Sequence, residues 1–259
     1  MQTNDKERRL AVLIDSDNVS SKYVGAMMEE IARYGTPTIK RIYGDWTALR
    51  DKGWKKVLLE NAISPMQQYS YTTGKNSTDS AMIIDAMDIL YSDKVDGFCI
   101  VSSDSDFTRL ATRLREAGVT VIGIGEKKTP PSFIAACEKF IFLEILVEAK
   151  EKGEHAERLK TAEKPAEKPR VQGTNIQMQN LLVTSVNDVA NEEGWASLSE
   201  VGQLIIRKQP SFDSRNYGYV KLSSLVKSTG LFETEMRETS ASGGKQLFVR
   251  DKNFSQNEK

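Results

Sequence analysis

From Leu10 to Leu143, short apolar runs alternate with stretches whose apolar residues recur at helical spacing. Leu10-Ala11-Val12-Leu13-Ile14 and Phe98-Cys99-Ile100-Val101 contain no polar position, which predicts strands buried on both faces. Thr38 to Tyr43, Ile63 to Tyr69 and Val119 to Ile124 predict further strands, and Phe140 to Leu143 an edge strand. Between them, four helices are predicted. One carries Tyr23, Val24, Met27, Met28 and Ile31, and one runs from Trp46 to Asn61 with Leu49, Val57 and Leu58. A third spans Asp79 to Tyr91 with Met82, Ile83, Ala86, Met87 and Leu90, and a fourth aligns Phe107, Leu110, Ala111 and Leu114 on one face. A short helix follows Pro130-Pro131. Alternating strands and helices imply right-handed βαβ units, hence an α/β domain with a mostly parallel, Rossmann-like sheet.

The pattern stops near Ala149. Residues 149–173 hold Lys150-Glu151-Lys152-Gly153-Glu154 and two copies of Ala-Glu-Lys-Pro, with almost nothing apolar to bury. This is the composition of a charged, disordered and flexible linker. A smaller unit is expected over 174–252. Leu181, Leu182, Val186, Val189 and Ala190 mark one helix, with Gly194 after it. Ser197-Leu198-Ser199-Glu200 opens a second, with Ser197 as the expected cap and Glu200 at the capping-box position. Asn216-Tyr217-Gly218 turns into a third helix with Leu222, Leu225 and Val226. Leu231 to Thr234 and Gln246 to Val249, on either side of Ser242-Gly243-Gly244-Lys245, predict a terminal hairpin. Three helices and a hairpin describe a winged helix-turn-helix.

Composition narrows the chemistry. Among 259 residues, 36 Lys and Arg balance 36 Asp and Glu, so net charge points to no polyanionic partner. The polar start, Met1 to Glu7, has no signal-peptide core, and no apolar run reaches membrane-span length. No membrane and a cytoplasmic location are therefore expected. Cys99 and Cys137 lack a Cys-x-x-Cys partner, and Cys99 reads as a buried reduced thiol. The single histidine, His155, lies in the charged linker. Histidine-dependent nucleophiles and histidine-rich zinc sites are disfavoured. Carboxylates remain.

Five aspartates fall in three clusters: Asp15 and Asp17 in Asp15-Ser16-Asp17-Asn18, Asp79 in Lys75-Asn76-Ser77-Thr78-Asp79, and Asp104 and Asp106 in Ser102-Ser103-Asp104-Ser105-Asp106. Two clusters directly follow predicted central strands. Parallel sheets bind ligands beyond the carboxyl ends of their strands, where strand order reverses. If the two strands are neighbours, their carboxylates meet there and need a cation. A hard divalent metal, Mg²⁺ or Mn²⁺, suits carboxylate oxygens. Taken singly, each aspartate also reads as a helix cap or a first-turn acid. Asp85 and Asp88 read as solvated, with Asp85 also a candidate for a supporting role.

The three motifs, Leu13 to Asn18, Gly74-Lys75-Asn76-Ser77-Thr78-Asp79 running into Ile84-Asp85-Ala86-Met87-Asp88, and Val101 to Phe107, together resemble NYN-domain proteins. These are PIN-like ribonucleases, here of the LabA-like branch, and the resemblance covers residues 8–148. The second unit resembles the OST-HTH (LOTUS) domain through Gly194 to Glu200, Pro210-Ser211-Phe212-Asp213 and Asn216-Tyr217-Gly218-Tyr219. The resemblance implies metal-dependent endonucleolytic hydrolysis of RNA phosphodiesters. Asp15, Asp79, Asp104 and Asp106 would be the catalytic and metal-holding set for one or two Mg²⁺ or Mn²⁺ ions. Asp17, Asn18, Lys75 and Asp85 would support that set or meet substrate. Ser103 departs from the pattern, standing where glycine is frequent.

RNA, single-stranded or structured, is the implied partner, and a homodimer stays open. Lys40, Arg41, Arg50, Lys52, Lys55 and Lys56, with Trp46 and Trp54 among them, offer phosphate contacts and stacking, while a solvated face over core tryptophans is the simpler account. Lys208, Arg215, Lys221 and Tyr217 are the corresponding candidates in the second unit. Two competing functions remain. One is a non-catalytic RNA-binding regulator with the same domains. The other is a phosphatase of the haloacid dehalogenase type, because Asp15-Ser16-Asp17-Asn18-Val19 fits its opening motif, although the downstream acidic pair is not evident.

Overall fold

The computed structural model describes residues 7–47, 53–69, 77–147, 176–238 and 245–254. The chain divides into two compact units, one ending at Glu163 and the other beginning at Lys164.

In the first unit, β1 (Arg9–Asp15), β2 (Thr36–Gly44), β3 (Ser64–Gln67), β4 (Gly97–Val101), β5 (Thr120–Gly125) and β6 (Lys139–Phe142) form one sheet in the order β3-β2-β1-β4-β5-β6. Every pairing is parallel. The helices are α1 (Val24–Ile31), α2 (Trp54–Asn61), α3 (Ser77–Tyr91), α4 (Thr108–Glu116), α5 (Pro131–Ala136) and α6 over 143–147.

The continuous apolar runs have the cause expected of them. Successive side chains of a strand point to opposite faces. Leu10, Val12 and Ile14 pack with Val24, Met27 and Ile31 of α1 and with Trp54 and Leu58 of α2. Ala11 and Leu13 pack on the other face with Met82 and Ala86 of α3 and Leu110 and Leu114 of α4. A strand between two helical layers has no solvent face, so it carries no polar position.

β3 is an edge strand that holds Pro65, and among the described residues it pairs only with Arg41 to Gly44 of β2. An edge tolerates the missing proline N–H. The helix predicted from Trp46 begins instead at Trp54. Asp45 Oδ1 accepts the Thr47 N–H at 3.0 Å, a local bond that competes with helix formation there. Among the described residues no helix is long and apolar enough to cross a membrane.

The second unit contains α7 (Ile176–Val189), β7 (Trp195–Ser197), α8 (Leu198–Lys208), α9 (Leu222–Thr229), β8 (Phe232–Glu238) and β9 (Lys245–Asp251). Its core joins Met178, Leu182 and Val186 to Val201, Ile205, Leu225, Val226, Phe232 and Val249. The predicted hairpin forms as antiparallel β8 and β9, and β7 adds a third strand against β9. Three residues are too short a run to show strand periodicity, which hid β7. Ser197 does occupy the N-cap position of α8, but its side chain makes no capping bond. Its hydroxyl is taken by Gln246 Nε2 at 2.7 Å across the sheet, so the predicted capping box is replaced by a tertiary contact.

Candidate active site

β1 and β4 lie side by side, with Leu10 opposite Gly97 and Ile14 opposite Val101. Strand order therefore reverses between them, and the acidic clusters following both strands converge at that crevice. Gly125, at the end of β5, lets the chain close in here. A Cβ on it would stand 2.5 Å from the Ser102 carbonyl oxygen.

Asp15 terminates β1 and is 1% exposed. Its Oδ1 accepts the Asp17 N–H at 3.0 Å. Its Oδ2 accepts Asn18 Nδ2 at 2.7 Å and Ser102 Oγ at 2.8 Å. Ser102 Oγ in turn accepts the Asp104 N–H at 3.0 Å, and Asp104 Oδ1 accepts the Asp106 N–H at 2.9 Å. One hydrogen-bonded chain thus runs from the end of β1 to the loop after β4. Ser103, the departure from the motif, is used as well: its hydroxyl accepts the Glu126 N–H at 2.8 Å and ties that loop to the end of β5.

Asp79, in the first turn of α3, joins Asp104 and Asp106. Each offers a carboxylate oxygen, all within 4.8 Å of one another. Two full charges at that separation repel by roughly 3 kcal/mol at an effective dielectric of about 20, before solvent screening. A helix N-terminus returns only about 0.3–1 kcal/mol. Repulsion wins, so the trio needs a proton or a cation. Burial and the charges of Asp15, Asp104, Asp106 and Asp17 push the Asp79 carboxyl up from its ordinary value to about 6.

The residues fit a hard divalent ion. All three donors are carboxylate oxygens, the type Mg²⁺ and Mn²⁺ prefer. Close to the acids in sequence, Ser16 Oγ and Ser77 Oγ are buried without a hydrogen-bond partner, each within two residues of one of them. Orphaned buried hydroxyls normally have a water or ion to meet. The thiols play no such part: burial raises Cys99 and Cys137 to about 12.

A model of the NYN domain matches residues 9–144, just over half of the chain. The chain belongs to the NYN domain family. The model of the OST-HTH/LOTUS domain matches residues 172–242. An uncharacterized protein of Methanocaldococcus jannaschii is 28% identical over 136 residues, which are 51% of this chain and 52% of that protein, so the chain spans about half the length of this relative. A crystal structure of a protein of unknown function from Vibrio parahaemolyticus aligns with 54% of this chain and 94% of its own, at 20% identity and a TM-score of 0.46. A solution structure from Nitrosomonas europaea aligns with 35% of this chain and 90% of its own, at 35% identity and a TM-score of 0.28.

In the NYN domain three of the four expected acids offer carboxylate oxygens within 4.8 Å of one another, and the fourth, Asp15, is near enough that its charge leads those raising Asp79. Asp15 anchors the loop that presents Asp104. The same placement disfavours a phosphatase nucleophile, since a carboxylate 1% exposed and held by three donors has no open face for attack. Ser102, which carries the link, had no signal beyond being a hydroxyl after a strand. Asp85 lies deeper along α3 and is bound by Arg41 Nη1 and by the Tyr43 hydroxyl. Burial and Asp85 raise the Tyr43 phenol far above its usual range.

Several basic and aromatic candidates have internal duties. Lys40 Nζ donates to the Asn61 carbonyl at 2.5 Å, closing the end of α2. Trp54 is buried, and Trp46 packs edge-on against it while donating Nε1–H to the Met66 carbonyl at 3.1 Å. Lys55 and Lys56 are exposed on α2, with Lys56 3.7 Å from Glu60. In the OST-HTH domain Lys208 meets Asp188 at 2.6 Å, Arg215 forks onto Asp213, and Tyr217 packs on Phe212 with ring centroids 5.8 Å apart. Lys221 is exposed. Lys75, Arg50, Lys52 and the 149–173 linker lie outside the described residues.

Proposed function

We propose that the protein is a metal-dependent ribonuclease in which residues 8–148 cut RNA phosphodiester bonds and residues 174–252 hold the RNA. The observation that carries this reading is the trio Asp79, Asp104 and Asp106, converging within 4.8 Å at the reversal point of a parallel sheet in an NYN domain. Asp79, Asp104 and Asp106, with Asp15 beside them, would hold Mg²⁺ or Mn²⁺. Such an ion supplies Lewis acidity toward a phosphoryl oxygen and a source of hydroxide at neutral pH, chemistry that needs no histidine. The chain's own part is positional. Asp15, through Ser102, orients the Asp104 backbone, and the Asp106 N–H fixes the Asp104 carboxylate. Asn18 and the Asp17 N–H keep Asp15 in its rotamer.

The test is cleavage of end-labelled single-stranded RNA, double-stranded RNA and DNA in Mg²⁺, Mn²⁺ or EDTA, by the full chain and by Asp104→Asn. Cleavage of RNA that needs metal and disappears in the variant is the expected result. RNA binding that EDTA does not alter, with no products in either metal, overturns the enzyme and leaves an RNA-binding protein.

A further inference from the structure

A groove of about 520 Å³ runs beside α3, starting at the turn that carries Asp79. That volume suits a nucleoside-sized ligand, within the roughly 300–1,000 Å³ of small-molecule sites. Its helix wall is one stripe, Ser77, Ser80, Ala81, Ile84, Asp85 and Asp88, and Met66 of β3 is also in the lining. The positions 77, 80, 81, 84, 85 and 88 recur at helical spacing, so they share a face of α3.

Besides the neutral polar groups of Gln67, Gln68 and Ser80, the lining has two characters. Met66, Ala81 and Ile84 make an apolar slot, and Ile84 is 64% exposed on a helix that otherwise buries Met82, Ala86 and Ile89. Asp85 and Asp88 add carboxylate oxygens. Arg41 and Tyr43 hold Asp85 in place at the floor, whereas Asp88, nearly one turn further, is exposed. Flat apolar walls with a carboxylate edge match a ring whose rim donates hydrogen bonds, and they repel a phosphate. Among nucleobases, guanine presents N1–H and N2–H₂ side by side, a fork that one carboxylate accepts on both oxygens; uracil presents a single N–H.

We infer that this groove receives a guanine base of the RNA, next to the phosphodiester lying at the Asp79, Asp104 and Asp106 trio. The inference rests on the ribonuclease reading for the identity of its ligand. The base enters the slot between Met66 and Ile84 with its donating edge on Asp88. The buried Ser77 hydroxyl, without a partner inside the protein, lines the mouth where base and phosphate meet. The site thereby acquires a preference in sequence that the metal-holding trio cannot impose.

Two measurements on the full chain separate this inference from the reading beneath it. The first is cleavage of RNAs that differ only in one base beside the cut, by the parent protein, Asp88→Asn and Ile84→Ala. Both positions are exposed, and circular dichroism verifies their folding. Guanine is expected to be favoured about tenfold over uracil at one flanking position, a discrimination typical of a bidentate edge contact, and Asp88→Asn is expected to remove it. The second is a titration of methyl-labelled protein in EDTA with guanosine 5′-monophosphate and, separately, uridine 5′-monophosphate. The Ile84 methyl signals are expected to move with the guanosine nucleotide alone. Cleavage at equal rates for all four bases, with Ile84 unmoved, overturns the inference and leaves the nuclease standing. Movement of Ile84 without any RNA cleavage supports the groove and removes the nuclease.

Discussion

The Ser102 hydroxyl donates a hydrogen bond to Asp15 Oδ2 at 2.8 Å, linking the end of β1 to the loop after β4. The two residues are 87 positions apart, and the same serine oxygen receives the Asp104 N–H. Ser102→Ala would leave Asp15, nearly sealed from solvent, short of one donor. The expected cost is about 1–3 kcal/mol, read as a lower urea midpoint with an unchanged slope. Loosening Asp104 should also weaken Mn²⁺ affinity or turnover about 10- to 100-fold. A stability loss with metal affinity untouched would reduce Ser102 to a packing role.

Asp79 makes the acid trio sensitive to pH. In the unfolded chain its carboxyl has the ordinary aspartate value of about 3.8, and in the folded chain burial and the neighbouring carboxylates push it up to about 6. Between those values the folded state binds the extra proton. Stability without metal therefore falls as pH rises from about 4 to about 6, and the penalty is fully present above that. Divalent ions compete with that proton. In melting curves the stabilisation by Mn²⁺ over EDTA should grow as pH passes through about 6. A metal effect flat from pH 5 to 8 would refute the assignment.

Relief of repulsion gives a paired test at one pH. In EDTA at pH 8, Asp79→Asn should melt higher than the parent, because one of three clustered charges is gone. With Mn²⁺ present the order should reverse. An unchanged order would mean that Asp79 does not hold the ion.

The Tyr43 hydroxyl bonded to Asp85 is buried, and its ring belongs to the core. Tyr43→Phe keeps the ring and removes one charge-assisted hydrogen bond, for an expected loss of about 1.5–3 kcal/mol. Calorimetry should show the first transition shifted down by about 2–4 °C per kcal/mol. No shift would mean that Asp85 exchanges this bond for water without loss.

Two glycines should answer alanine in opposite senses. At Gly123 in β5 a Cβ would stand 2.4 Å from the Phe140 ring and 2.7 Å from Cys137 Sγ. Overpacking there should cost about 1–3 kcal/mol. At Gly25 in α1 a Cβ meets nothing within 4 Å, so Gly25→Ala should stabilise by up to about 1 kcal/mol. Denaturant midpoints distinguish the two.

The alternation of apolar runs and helical stripes was enough to read an α/β fold with a parallel sheet, because a strand covered on both faces must lack polar positions along Leu10 to Ile14 and Phe98 to Val101. It was enough, too, to place Asp15 and Asp104 just past strand ends, where a carboxyl-end site forms. Local pattern says nothing of which strand lies beside which. Only the pairing of β1 with β4 brought the acidic clusters to one crevice. Only the packing of α3 over it then brought Asp79 to Asp104 and Asp106, within reach of the charge of Asp15. The same limit explains Ser197, whose hydroxyl went to Gln246 and not to its own helix, and Arg215 and Lys208, whose charges were spent on Asp213 and Asp188. Residue type and spacing restrict what a side chain is able to do. Which neighbour it meets is set by contacts between residues far apart in the chain, and in this molecule an 87-residue span closed by one serine hydroxyl links the two halves of the site.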